Sequence, residues 1–339
     1  MNARDAISKL PVSAYNKLRL YKKIREIYWT IKYDTNKIQE LTAQKCLVPQ
    51  NSYYGHEYWL KKYSGYEKSI LGLIEHGLTF GCDVEKDGWN IEWELGSILT
   101  FGNCRYDLLR ELYPSYNIVR IGPRIHYVPV DRGYYNELKK KIDSNKRTMV
   151  LYPLHSLANQ KSLYNIDSFL EDALYFAKEN DIGNILVSLH PSDILNGYDK
   201  DYIVKNQKLI LVSGGSNEIR FLPRLKAILS IADITYSNTV GTHTGYSIYM
   251  NKPQIINPKS DSLDSEKPEM KIRGYNYLKD YKNEKEKFIK AFNGSNPWNI
   301  NSEQRELIDD YFGISYIKSK EQLYKELEGC EKAFRARFN

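Results

Sequence analysis

The sequence predicts an α/β protein of two doubly wound domains facing each other across a cleft. Three observations predict it. Between Asn184 and Pro258 the apolar runs NILVSL, LILVS and ITY each end in small, polar or imidazole residues. Strands of a parallel sheet have this form when their ends deliver to one crevice. A second set of apolar runs lies between Lys68 and Val130, with a helical stretch among them. Between the two sets, residues 131–147 are polar and highly charged and read as a helical linker.

The elements follow in order. Residues 13–33 form an amphipathic helix: Leu20, Ile24, Ile27, Tyr28 and Ile31 share one face, and Ser13 behind Pro11 is the N-cap. This helix reads equally as one packed on the domain or one lying on an anionic membrane surface. SILGLIEHG, GSILTFGN and the stretch from Tyr116 to Val128 are strands of the first sheet, with the helix CRYDLLRELY between the last two. TMVLYPLHS opens the second sheet, followed by a helix over IDSFLEDALYFAKEND and by NILVSLHP, KLILVSGG, a helix from Phe221 to Ala232, and DITYSNT. Residues 257–272 are a polar loop, and two helices finish the chain. Ser319 and Gln322 have the spacing of a capping box for the last of them. The expected organisation is a basic helical segment (1–45), an N-terminal domain (46–135), a linker (136–147), a C-terminal domain (148–300) and closing helices (301–339).

Composition narrows the function classes. The 339 residues suffice for two domains, and no apolar run reaches the roughly 18 residues of a membrane span. No signal peptide is read at the N-terminus. Cys46, Cys82, Cys104 and Cys330 lack disulfide or metal spacing, so a reduced, cytoplasmic protein is expected. The net charge is +7, but residues 1–32 hold eight Lys and Arg against two acids. The body of the protein is therefore near neutral, which argues against a nucleic-acid-binding surface. The 29 tyrosines offer flat apolar faces with polar rims, a surface suited to sugars, although composition alone accounts for most of them.

The chemistry-bearing residues cluster at predicted strand ends. Glu75-His76-Gly77 closes the first clear strand; an imidazole there can take a proton from a hydroxyl near neutral pH, and Glu75 can orient it or act as the base itself. Taken locally, the same residues also fit an ordinary strand-to-turn segment. His190-Pro191 ends a second strand at a rigid corner and can hydrogen-bond a phosphate. Ser237, Asn238, Thr239, Thr242 and His243 precede a helix, whose N-terminus suits an anion. The Ser213-Gly214 turn is placed against a base or ribose, and His155-Ser156 ends the first strand of the same domain. Asp83, Glu85 and Asp87 read as a solvated turn. No HxH, HExxH, GxGxxG or GxxxxGK[ST] pattern is present, so neither a metal site nor a dinucleotide or P-loop site is expected.

In these motifs and their order the chain resembles the bacterial GT-B glycosyltransferases that use cytidine-activated donors. These are sialyl- and polysialyltransferases, Kdo-type transferases and CDP-glycerol transferases. The sialyltransferases carry an acid-acid-Gly motif, a His-Pro motif and a Ser-Ser or Ser-Thr motif. The matching places here read Ile74-Glu75-His76-Gly77-Leu78, His190-Pro191 and Ser237-Asn238-Thr239. Two departures stand out. His76 replaces the second acid, as the His-Gly of CDP-glycerol-type transferases does, and Asn238 splits the hydroxyl pair.

The resemblance covers roughly residues 68–256 in pattern. It implies two Rossmann-like domains in a GT-B arrangement, the first for an acceptor and the second for a nucleotide sugar. It further implies inverting, metal-independent transfer from a CMP-activated nonulosonic acid or Kdo to a bacterial surface glycan, perhaps lipid-linked, with no cofactor. His76, helped by Glu75, would be the base, and His190 would stabilise the leaving phosphate. Residues 1–32 would touch the inner membrane face. A UDP-sugar or CDP-glycerol donor, or a non-catalytic scaffold of glycan assembly, are the alternatives.

Overall fold

The computed structural model describes residues 48–78, 80, 95–154, 165–190, 193, 197–206, 209–213, 219–258, 271–272, 275–293 and 296–336. The N-terminal helix read over 13–33, the membrane contact assigned to residues 1–32 and the acidic turn at 83–87 lie outside the described residues.

The first sheet holds β1 (Leu73–Ile74), β2 (Ser97–Thr100) and β3 (Asn117–Arg120), all parallel, in that order. Its register sorts side chains into two rows, because successive residues of a strand point to opposite faces. Leu73, Ile98 and Ile118 pair across the strands and pack with Leu109 and Leu112 of α2 (Asn103–Leu112). Ile74, Leu99 and Val119 form the other row and pack with Leu60 of α1 (His56–Ser64). Both faces are thus covered, as parallel sheets require.

β1 is shorter than the run SILGLI suggests. The Asn51 side chain explains this: its Nδ2 donates to Gly72 O (2.9 Å), and its Oδ1 accepts from Ile74 N (2.9 Å). A side chain therefore occupies the place of a further strand.

The second sheet contains β4 (Arg147–Tyr152), β5 (Ile182–Leu189), β6 (Ile210–Ser213), β7 (Ile234–Ser237) and β8 (Gln254–Ile256). The order is β6-β5-β4-β7-β8, and every pairing is parallel. Alternation again fills both faces. Met149, Leu151 and Val187 meet the stripe Ile166, Phe169, Leu170, Ala173 and Ala177 of α4 (Ile166–Glu179). Val150, Leu186 and Val212 meet Leu222, Ala227 and Ile228 of α6 (Phe221–Ile231). The stretch read as a linker contains α3 (Arg132–Lys141), capped by Asp131, whose buried Tyr134 and Leu138 join α6 in the same core. α5 (Tyr198–Lys205) lies beside α4 through Tyr198 and Tyr202. α7 (Thr242–Tyr249) connects β7 to β8.

After β8 come a short β9 (Lys271–Ile272) and β10 (Tyr275–Asn276) pair, then α8 (Tyr277–Phe292), α9 (Ser302–Phe312) and α10 (Lys320–Arg335). The Ser319 box is formed: Gln322 N donates to Ser319 Oγ (3.2 Å), and Ser319 N to Gln322 Oε1 (2.8 Å). A second box, Asn301 with Gln304, starts α9.

The chain then crosses back to the first sheet. Leu323, Leu327 and Cys330 of α10 are fully buried beside Ile74 and Leu99. The crossing is tight. A Cβ on Gly102 would stand 2.2 Å from Asp310 O, and one on Gly245 of α7 would stand 2.2 Å from the Phe312 ring. The chain therefore has two Rossmann-like α/β units joined by a returning C-terminal helix, the arrangement expected of a GT-B chain.

Candidate functional site

In a doubly wound sheet, ligands bind outside the carboxyl ends of the strands where the strand order reverses. Here the chain steps from β4 outward to β5 and β6, then returns to β7 and β8 on the other side. The reversal lies between β4 and β7, and Tyr152 and Ser237 are paired at their ends. The loop after β7 leads into α7, so a helix N-terminus stands at the crevice.

This loop is held by its own side chains. Ser237 is fully buried; its Oγ donates to Thr239 O (2.7 Å) and accepts from Gln254 Nε2 (2.9 Å). Asn238 is equally buried, and its Oδ1 accepts from Leu154 N (2.7 Å). Thr239 is buried too. These three, read from sequence as phosphate donors, shape the loop in this structure, because strand β8 brings Gln254 within reach of the Ser237 hydroxyl. Thr242 and His243 are half-buried at the start of α7. The His243 ring stacks on that of Tyr152, 4.7 Å between centroids at 11°. Tyr152 is buried, which pushes its phenol well above the usual range.

His190 follows β5 and is half-buried. Its N–H donates to Asp193 Oδ2 (3.1 Å), and Asp193 N returns a bond to His190 O (2.9 Å). The buried Asp193 thus fixes the corner that carries the imidazole. Strand β4 separates β5 from β7, so His190 stands roughly 10 Å from the Ser237 loop at about 4.8 Å per strand. Ser213 ends β6, one strand further out. Pro191, Gly214, His155 and Ser156 lie outside the described residues.

The first domain delivers its own strand end to the same place. Leu78 N donates to Thr242 Oγ1 (2.8 Å). A Cβ on Gly77 would stand 3.0 Å from that oxygen, so glycine permits the approach. His76 is therefore one residue from a contact with the N-terminus of α7. It is half-buried, with the Tyr53 ring at 5.7 Å and the Tyr54 ring at 6.0 Å.

Glu75 behaves differently from its neighbour. It is 1% exposed, its carboxylate is salt-bridged to the buried Arg105, and it accepts from Thr100 Oγ1 at 2.5 Å. Paired in this way, it anchors the end of β1. Arg124, also buried, donates to Leu99 O (2.9 Å), Thr100 O (3.2 Å) and Glu75 O (3.4 Å), with its guanidinium over the Phe101 ring. The strand that presents His76 is thus braced by two buried arginines.

Sequence reasoning passed over His56. It is 1% exposed, and neither ring nitrogen has a hydrogen-bond partner among the described residues. Burial, then the charge of Arg124, then His76, hold its pKa well below 6.5. The unfolded chain binds a proton at His56 below about pH 6.5, whereas the folded chain does not. Stability is therefore expected to fall as pH drops below about 6.5, by up to ~1.4 kcal/mol per pH unit from this group. Denaturant unfolding at pH 7.5 and 5.5 tests this: His56→Phe should flatten the dependence, and an unchanged slope refutes it.

Among the described residues, no group of three or more His, Cys, Asp or Glu side chains is placed to hold a metal ion. Nor is any helix among them long and apolar enough to cross a membrane.

No protein-family model matches the sequence, and no curated protein is similar to it. Solved structures give distant likenesses. The wall teichoic acid polymerase TagF is 14% identical, with a TM-score of 0.39 over 72% of this chain. The chain spans 59% of that polymerase structure. UDP-GlcNAc 2-epimerase from Neisseria meningitidis, bound to UDP-GlcNAc, is 13% identical at 0.36, over 63% of this chain and 60% of its own. MnaA of S. aureus with UDP is 13% identical at 0.40, over 89% and 82%. All three scores are below 0.5, and the α/β assignment rests on the chain's own strand order.

Proposed function

We propose that this chain is an inverting, metal-independent glycosyltransferase. It moves a nonulosonic acid or Kdo from a CMP-activated donor to a bacterial surface glycan. One observation carries the reading. The loop of the first domain that bears His76 is hydrogen-bonded, Leu78 N to Thr242 Oγ1, to the helix N-terminus at the strand-order reversal of the second. A proton acceptor thereby faces an anion site across the cleft.

In the step proposed, the acceptor hydroxyl gives its proton to the His76 imidazole. Its oxygen bonds to the anomeric carbon as the bond from that carbon to the phosphate oxygen breaks. CMP leaves with the bonding electrons, and no covalent enzyme intermediate forms. The α7 N-terminus and the half-buried His190 and His243 are suited to the charge that grows on the leaving phosphate. Thr242, already accepting from Leu78, holds the two domains in register. Glu75 acts by positioning the strand end. The protein would work in the cytoplasm, on an acceptor that may be carried on lipid, with residues 1–32 at the inner membrane face. No cofactor and no nucleic acid enter the reading.

Calorimetric titration with CMP, CDP, UMP, UDP and GDP, with magnesium or with EDTA, tests the proposal. A nucleotide that binds the folded form also raises the melting temperature. CMP binding that persists in EDTA supports it. Preference for CDP or UDP keeps the transferase and replaces the donor with CDP-glycerol or a UDP-sugar. No binding by any of the five overturns the nucleotide-dependent reading in favour of a scaffold.

A further inference from the structure

Tyr53 and Tyr54 sit in the 3₁₀ segment Pro49–Gly55, just before α1, and the reaction proposed above gives them no part. Their backbone is unusual. Tyr54 has φ +55°, followed by Gly55 at +72°. A tyrosine in the left-handed region is strained, at a cost of order 1–3 kcal/mol, and persists only where its surroundings enforce it. The surroundings here are the second domain. A Cβ on Gly55 would stand 2.9 Å from Ile219 Cα, and Trp59 Nε1 donates to Ile219 O (2.6 Å). The turn is wedged against the segment that leads into α6, and the Tyr54 ring lies 4.5 Å from Phe221.

That wedging places two phenol rings beside the imidazole read as the base. Tyr53 and Tyr54 approach His76 at 5.7 and 6.0 Å, tilted by 44° and 34°. Both rings are half-buried. Tyr54 packs on the edge of a core cluster, whereas Tyr53 belongs to none of the clusters among the described residues. A partly exposed aromatic face beside a proton acceptor, yet outside any core, suits a ligand that is flat and apolar on one side and hydroxylated at its rim. The C–H face of a pyranose ring has that character. Glycerol phosphate has no ring face to stack, and a peptide carries no hydroxyl at a fixed place relative to such a face.

We infer that Tyr53, backed by Tyr54, is a stacking platform for the terminal pyranose of the acceptor, holding it so that a ring hydroxyl meets His76. This rests on the transferase reading and adds the acceptor's chemical class: a pyranoside, not a polyol phosphate.

The probes are methyl β-galactopyranoside, methyl β-glucopyranoside and glycerol 3-phosphate, studied by saturation-transfer NMR and by titration without nucleotide. At least one pyranoside should bind, with saturation strongest on the C–H protons of one ring face. Tyr53→Ala should weaken that binding about tenfold, the equivalent of about 1.4 kcal/mol, and Tyr53→Phe should retain it. Circular dichroism and melting temperature should match wild type in both variants. CMP titration is run on the same samples. Failure of CMP and the other nucleotides to bind strikes at the transferase reading, whereas failure of both pyranosides overturns the platform alone. The platform is also overturned if glycerol 3-phosphate binds in their place, or if Tyr53→Ala leaves the pyranoside affinity unchanged.

Discussion

His76→Ala lowers the turnover of sugar transfer by about 10²–10⁴-fold, the usual contribution of a general base, while CMP affinity stays at the wild-type value. The split follows from where the groups stand. His76 ends a strand of the first sheet, and the expected nucleotide site is at the β4/β7 reversal of the second. A proton acceptor on one domain therefore has little to do with nucleotide affinity on the other. Single-turnover rates and calorimetry on one preparation measure both. His76→Gln keeps a polar side chain of similar reach and is expected to be as slow as alanine, because an amide takes no proton. Loss of CMP binding in His76→Ala with an unaltered rate at saturating donor would reverse the assignment of the two domains.

Much of this framework is legible in the sequence, for a plain reason. A parallel strand covered on both faces must be apolar throughout, so TMVLY, NILVSL and ITY announce themselves. Their endings carry the polar residues, which places His190 and the Ser237–His243 stretch at one edge of the sheet. The Ser319 cap is legible because its two partners are only three residues apart.

What stays hidden depends on partners far apart in the chain. Ser237 looks like a free hydroxyl until β8 places Gln254 against it, 17 residues later. Arg105 is 30 residues from Glu75, and no local pattern marks it as that residue's counter-ion. His56 precedes an undistinguished helix, and its burial under Tyr54 beside Arg124 arises only from the packing of α1 on the first sheet. The helix in 131–147 is visible in the sequence, but its place against α6 is set by two buried residues, Tyr134 and Leu138, in a stretch that is otherwise charged.

The second large effect belongs to Glu75. Glu75→Ala leaves the Arg105 guanidinium buried without its carboxylate, and removing one partner of a buried pair costs about 3–5 kcal/mol. For a chain with the usual 5–15 kcal/mol of stability this is a large fraction of the total. Thr100 Oγ1 also loses its acceptor, which adds to the loss. Urea unfolding of the wild-type chain and of Glu75→Ala measures it. The double variant Glu75→Leu/Arg105→Met separates the cost of an orphaned charge from the worth of the pair. Two apolar side chains of similar volume remove the charge with its partner, so the double variant is expected to recover most of the stability that Glu75→Ala loses. If the strand end is restored with it, His76 still faces the cleft and transfer continues. If instead Glu75→Ala unfolds like wild type and transfers no sugar, the carboxylate is doing chemistry, and the base is Glu75 rather than His76.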